Sequence, residues 1–376
     1  MVDAAKACAG RIDRVRAMMY DRGYDAVVVR DEANLRWLTG AMGVFDYTYE
    51  FPHVAFITRD ACFLHTDSRY LNSFEENLPE GHSWKLDMDD VAMPRWVADR
   101  ALETSSRVVA VEDDMQISFF KGIERALEDV SIRAALPLMH EDIQHMRAVK
   151  DEQELQLMEH AQSITDAAFE HMCEWIRPGL TEKEIRTELE NFMFSHGADS
   201  LAFGSIVASG PNTANPHAVP SDRVVEKGDF ILMDYGAGYR DYRSDMTRTV
   251  CLGEASHDQR LLYDTVRRAH EECAAAIRAG IDGHEIHLLA KKIIGEAGYG
   301  DYFNHGLGHG VGIDIHELPC LNSRSHMLTV GSVVTVEPGI YLPGVGGVRL
   351  EDYGVVTEEG FRPFTKSSHD LVEIPC

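Results

Sequence analysis

Apolar residues recur with helical spacing in parts of this chain and cluster into short strand-like runs in others. In the first part, residues 11–22 and the segment around 123–130 show helical patterns. Four runs rich in β-branched and aromatic residues predict strands: DAVVV (25–29), VAFIT (54–58), CFLHT (62–66) and RVVAVE (107–112). Strands interspersed with helices predict an α/β domain over residues 1–140.

Longer helical patterns follow in the rest of the chain. Residues 147–176 carry apolar side chains at intervals of three, which predicts one long amphipathic helix. Thr181 is followed three residues later by Glu184, the pattern of a reciprocal helix cap. The segments SHDQ (256–259) and DGHE (282–285) predict the starts of two more helices.

Strand-like runs lie between and after these helices. They are DFILMDYGAGY (229–239), YRSDMTRTVCL (242–252), GSVVTVEPGIYL (331–342) and GVRLEDYGVVT (347–357). We expect each run to form a strand and the runs to pair as antiparallel hairpins. Helix pairs combined with such hairpins predict an α+β domain over residues 141–376.

The composition is that of a globular protein with a strongly acidic surface. The 376 residues are 44% hydrophobic and 26% charged, and 36 basic against 62 acidic residues give a formal net charge of −26. Such a charge repels phosphate backbones, so we expect no nucleic-acid partner. No apolar run approaches the ~20 residues that span a bilayer, and residues 1–11 lack the apolar core of a signal peptide. Seven cysteines scattered singly favour free thiols in the cytoplasm.

Four acidic residues interrupt the apolar runs of the second domain. Asp234 and Asp245 lie in the first pair of runs, and Glu337 and Glu351 lie in the second pair. One acid in such a place is ordinarily an exposed strand end or a salt-bridge partner, but four buried carboxylates require cations. The motif HGLGHGVGIDIHELP (305–319) adds histidines on a glycine-rich backbone that leaves space for a ligand.

A pair of divalent metal ions explains the acids and a histidine together. Carboxylate oxygens with a single imidazole favour manganese, cobalt or zinc over softer metals. Two such ions about 3.5–4 Å apart share bridging carboxylates and a hydroxide, which attacks a carbonyl group that the ions polarise. Amide hydrolysis is the chemistry that this arrangement predicts.

The strand period places two more side chains beside the acids. Successive side chains alternate between the two faces of a strand, so Thr247 lies on the face of Asp245, and Arg349 on the face of Glu351. We therefore expect Thr247 to orient Asp245. We expect Arg349 to steady Glu351 or to bind a substrate carboxylate.

Several motifs of the chain resemble those of a known enzyme family. Four segments are similar, in this order, to motifs of the pita-bread metallopeptidases, in the aminopeptidase P and prolidase branch: DYGAGYRDYRSDMTRT (234–249), HGLGHGVGIDIHELP, TVEPGIY (335–341) and GGVRLEDYGVVT (346–357). NLRWLTG (34–40) and TDSRY (66–70) resemble the smaller N-terminal domain of that branch. The resemblance implies an α+β fold with a C-terminal pita-bread domain and an N-terminal creatinase-type α/β domain.

The resemblance also implies a complete set of five metal ligands. They fall on Asp234, Asp245, His309, Glu337 and Glu351. In this family, the position of Asp234 chelates one ion, those of Asp245 and Glu351 bridge both ions, and those of His309 and Glu337 hold the second. Glu337 is further implied as the proton carrier for the attacking hydroxide.

Three histidines are implied on the substrate side. His217 and His316 match the two histidines that stabilise the tetrahedral intermediate and assist the leaving nitrogen. His305 matches a third histidine near the substrate pocket. Together with Glu337 and Arg349, they form the predicted catalytic set.

The implied function is hydrolysis of Xaa-Pro bonds in short proline-containing peptides. The enzyme would be a dinuclear-metal exopeptidase, an Xaa-Pro aminopeptidase or Xaa-Pro dipeptidase that uses a metal-bridging hydroxide, with manganese as the expected metal. Many prolidases carry an arginine directly after the HExP element, where this chain has Cys320, so the length of the peptide stays open. Relatives commonly form dimers, which implies a homodimer.

Two other readings stay open from the sequence. One is a creatinase-like C–N hydrolase that acts on a small non-peptide compound. The other is an inactive binding module that keeps the fold as a scaffold, although such a module generally loses ligands and this chain keeps all five. Release of proline from Xaa-Pro peptides would separate the leading hypothesis from both.

Overall fold

The computed structural model of the protein describes residues 4–44 and 52–376. The chain divides into two compact units, Met1–Arg147 and Ala148–Cys376. Within the described ranges, no helix combines the length and the apolar character needed to cross a membrane. All seven cysteines are free thiols, as predicted.

The first unit is built on one mixed sheet with the strand order β4-β3-β2-β1-β5. Its elements are α1 (Ala4–Arg22), β1 (Ala26–Val29), α2 (Glu32–Thr39), β2 (Val54–Thr58), β3 (Cys62–His65), α3 (Leu71–Asn77), β4 (Trp84–Asp87), α4 (Met93–Glu103), β5 (Val109–Val111), α5 (Ile117–Asp129) and α6 (Asp142–Arg147). The central strands are buried along their whole length, which explains their uninterrupted apolar sequence. Trp96 from α4 and Ile123 from α5 pack on this sheet, so the unit has the predicted α/β architecture.

The second unit contains four helices of two turns or more and most of the strands. Its elements are α7 (Glu152–Trp175), α8 (Glu182–Ser195), β6 (Ser200–Leu201), β7 (Ile206–Ser209), β8 (Phe230–Tyr235), β9 (Ala237–Tyr239), β10 (Tyr242–Arg243), β11 (Met246–Leu252), α9 (His257–Ala276), α10 (Gly283–Glu296), β12 (Gly308–Gly310), β13 (Glu317–Leu321), β14 (Val333–Val336), β15 (Gly339–Leu342), β16 (Gly346–Arg349), β17 (Asp352–Val356), β18 (Phe361–Pro363) and β19 (Glu373–Ile374). Short 3₁₀ helices cover Gly210–Ala214 and Gly300–Tyr302.

The sheets of the second unit are covered by two helix pairs. Strands β19-β11-β8-β7 form one sheet, whose apolar side chains pack with those of α7 and α8. Strands β13-β12-β14-β17-β18 form a second sheet and β15-β16 a two-stranded ribbon, and α9 and α10 pack on residues from both. The remaining strands form the small sheet β10-β9-β6. Helix pairs on sheets that are antiparallel apart from the β11–β19 pair confirm the predicted α+β class.

The long helix predicted over residues 147–176 is shorter at its start. Asp151 ends the preceding segment, because its Oδ1 accepts the N–H of Glu154 at 3.0 Å while Glu154 Oε2 accepts the N–H of Asp151 at 2.9 Å. This reciprocal cap begins α7 at Glu152. Lys150 donates its N–H to the carbonyl of Gly331 at 2.9 Å, so the backbone just before the cap pairs with the segment that leads into β14. The cap predicted at Thr181 is present.

Each of the four long runs predicted as one strand is divided into two strands. The divisions separate β8 from β9, β10 from β11, β14 from β15 and β16 from β17. Asp245, Glu337 and Glu351 each lie in a gap between two strands, and Asp234 is the last residue but one of β8. Because pairing changes partner at these points, the acids stand at strand ends rather than within a continuous ladder.

Candidate metal centre

The acids at the strand ends converge on one cavity. Donor atoms of Asp245, His309 and Glu351 all lie within 4.8 Å of one another. His309 Nε2 is 3.6 Å from Asp245 Oδ2 and 3.3 Å from Glu337 Oε1. Asp234 lines the same cavity, so the structure brings together all five donors predicted from the sequence.

Asp234 keeps one oxygen available in this cavity. Arg349 donates from Nη2 to Asp234 Oδ2 at 2.6 Å. The other oxygen, Oδ1, is buried and accepts no hydrogen bond from the described part of the chain. A buried carboxylate oxygen without a donor carries a desolvation cost of about 1–3 kcal/mol or more, which a cation would remove. Asp234 is therefore half satisfied by the protein and half open to a ligand.

The bridging candidates repel each other in the absence of a cation. Burial, followed by the charges of Glu351 and the other site acids, raises the pKa of Asp245 well above its usual range. Burial and the charges of Glu337 and Asp234 raise the pKa of Glu351 in the same way. Divalent cations would reverse both shifts by replacing repulsion between the carboxylates with coordination.

His309 and Glu337 behave as an ion pair. Burial disfavours the charge of Glu337, but the hydrogen bond and charge of His309 outweigh burial and lower the pKa of Glu337 to about 2. Burial likewise opposes the charged form of His309, yet Glu337 raises the pKa of this imidazole. Four carboxylates thus meet one arginine and one histidine, a hard donor set with excess negative charge that fits divalent cations.

The backbone around His309 presents one particular ring nitrogen. Nδ1 lies 3.0 Å from the carbonyl oxygen of Gly310 and donates to it, so Nε2 is the nitrogen that faces the acids and would bind a metal ion once its proton is displaced. The N–H of His309 donates to Thr335 Oγ1 at 3.0 Å. A Cβ atom on Gly308 would lie 2.1 Å from the carbonyl oxygen of Thr335. Glycine is therefore required here for the close approach of two backbones that carry site residues.

Thr247 supports a different acid from the one expected. The sequence predicted that it orients Asp245, but its hydroxyl donates to Glu351 Oε2 at 2.7 Å. The reason is the strand break, because Glu351 donates its N–H to the carbonyl of Thr247 at 3.1 Å and brings its side chain over that residue. Arg349 donates from Nε to Thr247 Oγ1 at 3.0 Å. It thus reaches Glu351 through Thr247 and contacts Asp234 directly.

A cavity of about 650 Å³ opens above these donors. His217, His305 and His316 all line it. The imidazole ring of His316 lies 4.4 Å from that of His309, measured between centroids, and burial lowers its pKa. Burial also lowers the pKa of His305, so both rings favour the neutral form. The nitrogens of His305 lie 2.6 Å from the carbonyl oxygen of Gly306 and 3.1 Å from Tyr341 Oη, whereas the neutral ring of His316 can donate one N–H to a substrate.

Two side chains that contact the segment 305–317, Tyr341 and Lys150, were not indicated by the sequence. Tyr341 Oη lies 3.1 Å from His305 Nε2 and accepts a hydrogen bond from Arg349 Nη1 at 2.8 Å. Lys150 forms an ion pair of 3.0 Å with Glu317, the residue after His316, and both side chains are almost fully buried. Tyr341 lies within the motif TVEPGIY, so this motif could have indicated it. The Lys150–Glu317 pair had no local signal, because 167 residues separate the partners.

Apolar residues form the remaining wall of the cavity. They are contributed by loops and strand starts, where no helical or strand period marks them: Phe203, Ile206, Pro216, Val219, Pro220 and Ile315. Arg186 from α8 also lines this wall. The cavity therefore combines a charged floor with an apolar side, the composition expected of a small-molecule or peptide site.

Comparison with known proteins agrees with this geometry. Residues 156–358 match the metallopeptidase family M24, and residues 11–149 match the creatinase/prolidase N-terminal domain. The Xaa-Pro dipeptidase of Pyrococcus horikoshii is 32% identical over 96% of this chain and 98% of its own length.

Two solved structures are similar over almost the whole chain. The Xaa-Pro dipeptidase from Bacillus anthracis has a TM-score of 0.88 and 36% identity, and 97% of this chain and 99% of that one are covered. The X-Pro aminopeptidase from Thermotoga maritima has a TM-score of 0.85 and 32% identity over 95% and 100% of the two chains. The predicted fold, a pita-bread domain preceded by a creatinase-type domain, is confirmed. The chain belongs to the metallopeptidase family M24.

Proposed function

We propose that this protein is a metal-dependent exopeptidase that hydrolyses Xaa-Pro bonds in short peptides. The observation that carries the proposal is the convergence of five oxygen and nitrogen donors on one cavity. Relatives named for Xaa-Pro cleavage share this fold over nearly their full length. These relatives include dipeptidases as well as an aminopeptidase, so the proposal covers both activities.

Five residues would hold a pair of divalent ions, with manganese preferred and cobalt or zinc as alternatives. Asp234 would bind one ion, Asp245 and Glu351 would bridge, and His309 and Glu337 would bind the other. When bound, the ions supply Lewis acidity that activates water and polarises a carbonyl group. The donor set supports this assignment, because the chain offers one arginine and one histidine against four carboxylates.

The chain's own residues would manage the proton and the developing charge. Glu337 would take a proton of the attacking water at a carboxylate oxygen and pass it to the leaving nitrogen. His316 and His217 would donate N–H groups to the substrate carbonyl oxygen as negative charge develops there. His305, oriented by Tyr341, would contact the substrate beside them. Arg349 would act by positioning Asp234 and, through Thr247, Glu351.

The apolar wall suits a proline residue after the scissile bond. Proline has no N–H when its nitrogen is part of the peptide bond, so a pocket for it needs no acceptor at that point. Phe203, Ile206 and Ile315 offer side chains against which the ring would pack.

One assay tests the proposal. Protein loaded with Mn²⁺ is incubated with Ala-Pro and with Ala-Pro-Ala, and release of proline or of alanine is measured against Ala-Ala and against chelator-treated protein. We expect metal-dependent cleavage of at least one proline-containing peptide and little cleavage of Ala-Ala. Absence of cleavage in protein that binds metal would contradict the proposal and return the creatinase-like alternative to consideration.

We further propose a domain division at residues 140/141, a cytoplasmic location and a homodimer. The residues of the site all come from the second of the two units, which supports a catalytic domain there. Light scattering on the purified protein would test the dimer, with a mass near twice 42.1 kDa as the expected result.

A further inference from the structure

The loop that carries His217 presents this residue to the cavity from an exposed backbone. The loop comprises residues 210–220, between the end of β7 and Ser221, and several of its side chains line the cavity together with His217. His217 is exposed, and in the described part of the chain its ring makes no hydrogen bond with another residue. The position of this imidazole therefore depends on how the backbone of its loop is held.

One buried carboxylate joins the two ends of this loop. Glu182 is the first residue of α8, and its Oε1 accepts hydrogen bonds from the N–H of Ser209 at 2.7 Å, the hydroxyl of Ser209 at 2.8 Å and Nδ2 of Asn212 at 3.0 Å. Its Oε2 accepts the N–H of Ser221 at 2.9 Å and the hydroxyl of Ser221 at 2.6 Å. Five donors from the two ends thus meet on a single side chain that is 1% exposed.

The negative charge of Glu182 allows it to hold both ends at once. Burial opposes the charged form, but the hydrogen bonds from Ser221, Ser209 and Asn212 outweigh burial and lower the pKa of Glu182. A neutral glutamine of the same length has one acceptor oxygen and an NH₂ group that only donates. With its oxygen turned to Ser209, this NH₂ group would face the N–H of Ser221 and leave it without an acceptor.

The contacts of the loop are uneven along its length. In the first half, Thr213 Oγ1 accepts an N–H from β16 at 2.7 Å. Beside His217, Arg349 Nη1 donates to the carbonyl of Pro216 over a long distance of 3.4 Å. Beyond His217, the next residue of the described chain with a hydrogen bond outside the loop is Ser221. Release of Ser221 would therefore loosen the backbone as far back as His217.

We propose that Glu182 is a positioning residue for His217, because it joins Ser209 to Ser221 and so holds the loop in the shape that presents His217 to the substrate. The inference rests on the proposed function, in which His217 donates an N–H to the substrate carbonyl oxygen. Misplacement of such a group by about 1 Å lowers turnover by up to about 10²-fold. Glu182 itself is not among the described residues that line the cavity, so it acts through the loop.

A double-mutant cycle tests this role. The kcat and KM for Ala-Pro are measured for Mn²⁺-loaded wild type, Glu182→Gln, His217→Ala and the double variant. We expect Glu182→Gln to lower kcat by about 10- to 100-fold and to change KM by less than about 2-fold. In the His217→Ala background, it should have little further effect on kcat, because the residue to be positioned is gone. Glu184→Gln, an exposed acid of the same helical turn that caps Thr181, is the control and should change neither constant.

Three results would overturn the role of Glu182. An unchanged kcat in Glu182→Gln contradicts it, and so does an equal loss of kcat in both backgrounds, which would show a general effect on the fold. If Glu182→Gln does not fold, Ser221→Ala replaces it in the cycle, because this variant removes one donor and keeps the N–H bond. A smaller loss of kcat that depends on His217 would then support the role, and an unchanged kcat would be the third contrary result.

Hydrogen exchange of residues 210–221 gives a readout that is independent of activity. We expect faster exchange of this segment in Glu182→Gln than in Glu184→Gln, because the hydrogen bonds to Ser221 are weakened. Equal exchange in the two variants would overturn the inference. If wild type does not cleave Ala-Pro, the proposed function fails, and the exchange result still decides whether Glu182 holds the loop.

Discussion

Two buried clusters of acids and histidines lie one residue apart in the sequence, at Glu351 and Asp352. The first is the candidate metal centre. The second, which we call the Arg248 cluster, consists of Asp352, His270, His369 and Arg248. Both contain donor atoms within 4.8 Å of one another, so donor type and spacing alone do not distinguish them.

The Arg248 cluster carries its own cation. Arg248 donates from Nη2 to Asp352 Oδ1 at 2.7 Å, and His369 Nε2 lies 2.7 Å from Asp352 Oδ2. Burial opposes the charge of Asp352, but Arg248 and the histidines outweigh it and hold its pKa well below the usual range. In the metal centre, the pKa values of Asp245 and Glu351 are shifted upwards.

The difference teaches when a buried cluster of this kind requires a metal. In the Arg248 cluster, the single carboxylate of Asp352 contacts one arginine and one close histidine, so the chain itself balances its charge. The metal centre has four carboxylates, and the chain supplies too few positive groups there to balance their charge. We therefore expect metal at the first cluster and none at the second.

Removal of a bridging acid should have the largest effect. We expect Glu351→Ala to lose both ions, because a bridging ligand serves each of them, and to lower kcat by at least ~10³-fold. Metal analysis and the Ala-Pro assay measure the two effects. The exposed Glu358→Ala on the same segment is the control. Two ions per chain with full activity in Glu351→Ala would refute the bridging role.

Removal of the cation from the Arg248 cluster should unbalance it. Arg248→Met leaves the buried Asp352 without its arginine, so we expect the free energy of unfolding to fall by ~3–5 kcal/mol. Denaturant unfolding of the metal-free protein measures this. Arg260→Met removes one partner of the exposed pair with Glu373 and should cost less than ~1 kcal/mol. A similar cost for both variants would show that the Arg248 cluster is not held by charge balance.

Loss of His316 should separate catalysis from metal binding within the first cluster. We expect His316→Ala to lower kcat by ~10²–10³-fold, the scale of one lost donor to a developing oxyanion, at unchanged metal content. His257→Ala, an exposed histidine at the start of α9, serves as the control. Loss of metal in His316→Ala would mean that His316 supports the ions instead.

Metal binding should release protons at mildly acidic pH. A folded-state pKa raised above its usual value means that Asp245 and Glu351 retain their protons to higher pH than ordinary carboxyls. Metal must displace these protons, so the apparent affinity should fall as pH is lowered through the raised pKa values. Calorimetry in two buffers with different ionisation enthalpies counts the protons. Binding that releases no protons at any pH as the pH is lowered would contradict the upward shifts.

Replacement of His270 should have the smallest effect. Both of its ring nitrogens are buried without a hydrogen-bond partner in the described residues, and burial lowers its pKa to about 4, so the ring is neutral at pH 7. We expect His270→Phe to change the free energy of unfolding by less than ~1.5 kcal/mol. His369→Phe, which loses the bond to Asp352, should cost more. A larger loss of unfolding free energy in His270→Phe would show that the ring nitrogens of His270 stabilise the fold, which would contradict this expectation.

Sequence reasoning identified the acids of the site but not how they are supported. Asp234, Asp245, Glu337 and Glu351 were conspicuous because each stands in an apolar run. The strand breaks at the acids were not predicted, because the apolar period continues across them and the change of pairing partner depends on another strand. For the same reason, the hydroxyl of Thr247 was assigned to the wrong acid.

Long-range contacts account for most of what the sequence did not reveal. Arg349 and Asp234 are 115 residues apart, and their bond follows from the meeting of β8 and β16. Helix starts were predicted where a local cap exists, as at Thr181. The start of α7 was placed too early because the apolar spacing before Asp151 is helical although the backbone there pairs with the sheet side.

Anomalous diffraction from crystals grown with Mn²⁺ tests the central claim most directly. We predict two manganese peaks in the cavity, both in contact with Asp245 and Glu351, and no peak among His270, Asp352 and His369. A peak in the Arg248 cluster, or a cavity in which the five donors hold no ion at saturating Mn²⁺, would contradict the account.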